Sequence, residues 1–209
     1  MLKLYYAPRS RVFRALWMLE EVGQPYELAP VDLQAGEQYR PSFQRINPMA
    51  KLPAIEHDGV TIAESGAILL YLADRFPTAK LAPALDDPRR GPFLKWMFFA
   101  GSCLEPALME KATGQKPEPT RSGWGDYERT EKVLAQGLKK GPWICGEAFT
   151  AADVIYGSSI EFLLQLKMLP ERPGYQAYVA RCVARPAYRS AREIESKSAS
   201  TLDAAKAGR

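Results

Sequence analysis

The chain has 209 residues, 46% of them hydrophobic and 25% charged, with a formal net charge of +4. That length holds one large domain or two small ones, and the composition is that of an ordinary globular protein. No dense Lys/Arg run marks a nucleic-acid surface, and no apolar run approaches the ~18 residues that span a membrane. Arg9, Arg11 and Arg14 interrupt what would be the apolar core of a secretory signal.

Leu2 to Tyr6 is a short β-type run, broken by Ala7-Pro8-Arg9-Ser10. Val12, Ala15, Leu16, Leu19 and Val22 then recur at helical spacing, and Gly23 closes the helix. Tyr26 to Val31 is a second strand, so the opening reads as a βαβ unit with a right-handed crossover. Pro41 starts one helical turn through Phe43 and Ile46. Leu52–Glu56 and Val60–Ala63 form a hairpin around Asp58-Gly59, a turn whose backbone needs the positive φ that Gly supplies. His57 is a residue of that turn. Ser65 is expected to cap the apolar helix through Ile68, Leu69, Leu70 and Leu72. The start of that helix leaves backbone N–H groups free to bind an anion. Residues 1–76 therefore predict a four-stranded mixed sheet with helices, the plan of a thioredoxin-like α/β domain.

Residues 77–92 are rich in Pro, Asp and Arg and read as a linker. From 93 to 209 the pattern is helical throughout and predicts an all-α domain. Phe93–Lys111 is strongly apolar and aromatic. Gly114–Gly123 is a loop, Tyr127–Lys140 an amphipathic helix, and Thr150–Leu166 a nearly uncharged helix suited to the core. Pro173–Ala184 is a fourth helix, and Ala187 to about Lys206 is polar and predicts a surface helix. Thr150 and Asp153 have the spacing of a capping box, with Phe149 and Val154 placed as its hydrophobic staple. Cys103, Cys145 and Cys182 are far apart, and one histidine leaves no zinc cluster. They suit a reducing cytoplasm as small buried hydrophobes.

Three motifs, in this order, make nearly the whole chain resemble the cytosolic glutathione transferase superfamily. The first is Tyr6-Ala7-Pro8-Arg9-Ser10 with Arg14, running through Trp17 and Gly23 to Pro25-Tyr26-Glu27. The second is Asn47-Pro48, Lys51-Leu52-Pro53 and Glu64-Ser65. The third is Gly146, then Phe149-Thr150-Ala151-Ala152-Asp153. The resemblance implies that glutathione is the co-substrate, with no metal.

It implies Ser10 as thiol activator, as in the serine-type, theta-like branches, where the activating Ser lies four residues before an Arg. Tyr6 is the rival, because other branches use a Tyr at the end of the first strand. No cysteine lies near Ser10, which speaks against the thiol-exchanging branches. Glu64 and Ser65 match the pair that holds the γ-glutamyl end. Leu52 would offer backbone groups to the cysteinyl part, and Pro53 matches the family's cis-proline. Lys51 and Gln38 lie where the glycine carboxylate is met, Gln38 being neutral where related branches often carry a basic residue.

Trp96, Phe99, Cys103 and Leu104 match an acceptor pocket on the first helix of the second half. The implied reaction is attack of the glutathione thiolate on a small hydrophobic electrophile by a cytoplasmic homodimer acting in detoxification. Glutathione-dependent peroxidase or isomerase chemistry uses the same thiolate. A binding or regulatory protein that keeps the fold without the chemistry is the alternative from another class.

Overall fold

A computed structural model describes residues 1–116 and 118–207, with side chains described through 202. Contacts group them into two compact units, Met1–Ala79 with Arg185–Arg209, and Lys80–Ala184.

In the first unit β1 (Leu2–Tyr6), α1 (Phe13–Val22) and β2 (Tyr26–Pro30) form the parallel βαβ unit. α2 (Pro41–Gln44), β3 (Ala54–His57), β4 (Val60–Ala63) and α3 (Ser65–Arg75) follow. The strand order is β2-β1-β3-β4, with β3 antiparallel to both neighbours. β1 alternates in the manner of a strand covered on one face. Leu2, Leu4 and Tyr6 are buried, while Lys3 and Tyr5 are half-buried on the other face. α1 buries Ala15, Leu16, Trp17, Met18 and Leu19 almost completely. Gly23 ends it in the left-handed conformation, its N–H on the Leu19 carbonyl. His57 is the last residue of β3 and is buried. Its Nδ1 lies 2.8 Å from the Tyr71 hydroxyl, which ties the hairpin to α3.

α9 (Pro186–Ala207) packs along α1 and is more than a surface helix. Tyr188, Ala191 and Ala199 are buried at helical spacing. Arg185, just before it, makes a bidentate pair with Glu21, and the Ser190 hydroxyl donates to Glu20. Two polar residues that look solvated in sequence, Arg185 and Ser190, are thus satisfied by carboxylates on α1.

In the second unit α4 (Arg90–Phe99) and α5 (Glu105–Thr113) are separated by a π-helical turn, Ala100–Leu104. Pro106 lacks the N–H that would bond the Ser102 carbonyl, and widening to π geometry absorbs the loss. The loop from Lys80 joins this unit where Leu81 accepts the Ala151 N–H at 2.8 Å. α6 (Tyr127–Gly137), α7 (Ala151–Gln165) and α8 (Pro173–Val183) follow. α7 is buried nearly all round, as its scarcity of charge predicts. Asp153 is fully buried and accepts from the N–H groups of Ile144 and Thr150 and from the Thr150 and Tyr178 hydroxyls, at 2.7–3.0 Å. The Thr150 N–H bond is the reciprocal half of the predicted capping box. Phe149 meets the edge of Trp143, centroids 4.9 Å apart. Among the described residues no helix is long and apolar enough to cross a membrane.

Candidate functional site

The sheet register decides which loops can share a site. Ala54, the first residue of β3, pairs with Tyr5 on one side and Ala63 on the other. The turn after β1, the Leu52-Pro53 approach to β3 and the start of α3 therefore leave one end of the sheet together. Adjacent strands lie ~4.8 Å apart, so this row spans about 10 Å. An extended tripeptide has the same reach, about 10 Å.

At the β1 end, residues 7–12 turn before α1. The Ser10 Oγ donates to the Ala7 carbonyl at 2.7 Å and accepts the Val12 N–H at 3.2 Å. This local bonding is typical of Ser at a turn leading into a helix. Ser10 is half-buried, and Arg9 before it has a left-handed backbone, φ 57°.

In the middle, the Leu52–Pro53 bond is cis. Asn47, 4% exposed, shapes its approach. Its side-chain amide donates to the Lys51 carbonyl at 2.8 Å, and its side-chain oxygen accepts the Met49 N–H at 3.1 Å. Leu52 rests with Tyr5 and Ile46 on a small core of Val31, Phe43 and Ala54. The Lys51 side chain is exposed. Asn47 is thus a residue on which the geometry of Leu52 depends. Its place in the Asn-Pro motif was legible, but its role as the buried brace was not.

At the β4 end, Glu64 is exposed and holds a backbone of φ 70° and ψ 123°. A non-glycine residue there costs on the order of 1–3 kcal/mol and survives where its surroundings impose it. Ser65 is the first residue of α3 and not its cap: Glu64 occupies the cap position, with no side-chain cap bond. The first helical bond runs from the Ile68 N–H to the Glu64 carbonyl. The N–H groups of Ser65, Gly66 and Ala67 precede it and have no intrahelical acceptor, which suits an anion. A carboxylate and a helix end with free N–H groups thus stand side by side, an arrangement suited to an ammonium and a carboxylate on one carbon.

Tyr6 and Gln38 turn inward. The Tyr6 hydroxyl is buried beside Ser198, whose hydrogen bond lowers its pKa less than the burial raises it. Burial, and then the nearby Glu195 charge, push its pKa up to about 12. A hydroxyl beside a carboxylate is poorly placed to favour a second anion. Gln38 is 8% exposed, and its Nε2 donates to the Leu33 carbonyl at 3.3 Å. Its Oε1 is buried and unpartnered among the described residues. In the second unit, Trp96 and Leu104 belong to the core. Trp96 lies edge-on to Phe99 and Tyr156, at 5.4 and 5.5 Å. Phe99 and Cys103 are half-buried, so of that quartet these two keep exposed surface.

Residues 1–74 match the family described as the glutathione S-transferase N-terminal domain. The chain is 34% identical over 167 residues to the disulfide-bond oxidoreductase YfcG of Escherichia coli (strain K12), covering 74% of this chain and 76% of that protein. Among solved structures it resembles a glutathione transferase from Methylococcus capsulatus. The identity is 29% and the TM-score 0.78, covering 94% of this chain and 99% of that one. A sphingomonad glutathione S-transferase complexed with glutathione is 27% identical with a TM-score of 0.76, covering 93% and 98%.

Proposed function

The chain belongs to the glutathione S-transferase superfamily, and from that membership we propose that it is a glutathione transferase. Glutathione is its co-substrate, and its thiolate attacks small hydrophobic electrophiles. The observation that carries the reading is the register row Tyr5–Ala54–Ala63, which gathers Ser10, Leu52-Pro53 and Glu64-Ser65 at one end of the sheet. In this reading Glu64 accepts from the glutathione ammonium, and the start of α3 with Ser65 takes the adjoining carboxylate. Leu52 meets the cysteinyl backbone. Lys51 is the cation available to the glycine carboxylate. Gln38 acts on that carboxylate only indirectly, through its hold on the Leu33 carbonyl.

The chemistry needs a thiolate. A free thiol titrates near ~8.5, so about 3% is ionised at pH 7. Ser10 supplies a hydroxyl donor at the mouth of α1, whose helix dipole acts in the same direction. To bond the thiolate, the hydroxyl gives up its neutral bond to Ala7. A charged hydrogen bond is worth ~1.5–3 kcal/mol and a neutral one ~0.5–1.5, so the exchange gains about 1 kcal/mol or slightly more. That lowers the thiol pKa by about one unit. Tyr6 is the weaker candidate, because its hydroxyl faces Glu195 from a buried position. A cytoplasmic homodimer that removes electrophiles completes the reading, supported by family membership alone, and light scattering tests the dimer.

Calorimetric titration with glutathione, then with its S-hexyl derivative, tests the proposal. Binding of both, tighter for the alkylated form, is expected. No binding of either at millimolar concentration overturns it. The similarity to a protein named as a disulfide-bond oxidoreductase favours one further reading. The same thiolate would attack a small disulfide, forming a mixed disulfide with glutathione and releasing a thiol. A second glutathione would then resolve the mixed disulfide, so no protein cysteine is required. Turnover of a dialkyl disulfide in preference to an aryl halide would favour it.

A further inference from the structure

α9 reaches the Ser10 turn through one side chain. Glu195 is 12% exposed in its side chain, and its Oε1 accepts the Arg9 N–H at 3.2 Å. Its Oε2 accepts Arg192 Nη1 at 2.7 Å. The Arg192 guanidinium lies 3.8 Å from the Phe13 ring centroid, and its Nε donates to the Tyr188 hydroxyl at 2.8 Å. Tyr188 in turn meets Phe13 and Trp17 edge-on, at 5.3 and 5.0 Å. The carboxylate is therefore held by a charged partner that is itself packed against the first turns of α1.

Arg9 is the residue that needs such a hold. Its backbone is left-handed, which a side chain with a Cβ adopts at a cost unless its surroundings impose it. The next residue is Ser10. A change in the Arg9 backbone swings the Ser10 hydroxyl away from its aim. We infer that Glu195 is a positioning residue for the thiol-activating turn: it fixes the Arg9 peptide and through it the Ser10 hydroxyl. The inference rests on the reading of Ser10 as activator and adds a residue from the far end of the chain to it.

The alternative to positioning has the opposite sign. Glu195 acting on the site only through its charge would disfavour a nearby thiolate, and removing it would then lower the thiol pKa. Arg192 offsets part of that charge, and what remains still pushes up the pKa of Tyr6. Positioning predicts that removing the carboxylate raises the thiol pKa.

The test follows the ultraviolet absorbance of bound glutathione thiolate against pH, with kcat and KM, in the full chain. Glu195→Ala is expected to raise the apparent pKa of the bound thiol by about one unit and to cut kcat at neutral pH about tenfold, with KM for glutathione changed less than about twofold. Glu195→Gln keeps an acceptor for the Arg9 N–H and is expected to rescue both values. Glu195→Asp keeps the charge but withdraws it by one methylene, and is expected to behave as Glu195→Ala even where the alanine variant folds poorly. Arg185→Ala loosens α9 at Glu21, away from the turn, and is expected to lower stability without moving the thiol pKa. An unchanged or lowered thiol pKa in both Glu195→Ala and Glu195→Asp overturns the inference, as does an equal rise in Arg185→Ala. A Ser10→Ala control separates the two levels. If it raises the pKa while the Glu195 variants do not, only the positioning role fails. If it leaves the pKa unmoved, the reading of Ser10 fails and the inference with it.

Discussion

Glu64 is where stability and binding should part company. Its backbone, φ 70° and ψ 123°, lies where an L residue pays on the order of 1–3 kcal/mol. Its side chain is exposed and makes no cap bond, so the strain is not offset by that route. Glu64→Gly removes the Cβ that causes the strain. Against this, glycine adds conformational freedom to the unfolded chain, costing ~0.5–1 kcal/mol. The balance is a gain of about 1 kcal/mol, or a rise in Tm of roughly 2–4 °C for a chain of this size. The same change deletes the carboxylate proposed to accept from the glutathione ammonium. That contact is worth ~1.5–3 kcal/mol, so binding should weaken by about 10- to 150-fold. Glu64→Ala provides the contrast: it loses the carboxylate but keeps the Cβ, so it should bind as poorly as the glycine variant without its gain in Tm. Thermal unfolding without ligand and calorimetry with glutathione read the two effects separately. A lower Tm for Glu64→Gly than for Glu64→Ala would refute the strain argument. Unaltered glutathione binding in both would remove Glu64 from the site.

Ser10→Ala should lower turnover at neutral pH by about tenfold, the exchange of a neutral for a charged hydrogen bond. Glutathione affinity should stay nearly constant, and steady-state kinetics at fixed pH would show an unchanged kcat if Ser10 takes no part. Gly137→Ala should destabilise the second unit, because the new Cβ would lie 2.4 Å from the buried Trp96 ring and 3.1 Å from Ile144. Overpacking of this kind costs ~1–3 kcal/mol and outweighs the ~1 kcal/mol helix-propensity gain, so urea unfolding should show a lower midpoint. Glu131 lies buried against Arg172 and Tyr175. Burial raises its pKa, but the hydrogen bonds from Arg172 and Tyr175 outweigh that and leave it lowered. Its contribution is therefore present above the ordinary glutamate value of about 4.3 and is lost as pH falls through the lower, folded-state value. The stability gap between the wild type and Glu131→Gln should shrink as pH drops below about 4, and a gap independent of pH would contradict this.

What the sequence reveals of the fold depends on where the deciding partner sits. The βαβ opening, the Asp58-Gly59 hairpin and the nearly uncharged α7 are legible because periodicity and turn chemistry act within a few residues. α9 is legible as a helix but its packing is not, because Ser190 and the preceding Arg185 are read as solvated until Glu20 and Glu21 of α1 are seen to receive them. The stripe Tyr188, Ala191 and Ala199 was the available signal, but alanines contribute little to a hydrophobic pattern. The π turn before α5 was also open to local reading, because Pro106 denies Ser102 its partner.

The candidate site divides along the same line. Residue types at Ser10, Pro53, Glu64 and Ser65 are visible in a string of letters. The conformations that make them usable are not. The positive-φ backbones at Arg9, Ala50 and Glu64 occur at residues other than glycine or asparagine, so composition gives no warning of them. Each precedes a residue of the proposed glutathione site: Arg9 precedes Ser10, Ala50 precedes Lys51, and Glu64, itself in the site, precedes Ser65. A backbone of this kind reorients the next peptide while keeping a full side chain at the bend. The residues that hold two of these bends in place, Asn47 beside Ala50 and Glu195 on Arg9, are not among the residues first singled out for the chemistry. Asn47 is close in sequence and could be inferred from its place before a proline. Glu195 lies at the other end of the chain, where only the folded packing of α9 on α1 brings it to the turn. Substitutions at such supports should therefore change the thiol chemistry while leaving every residue of the proposed site in the sequence.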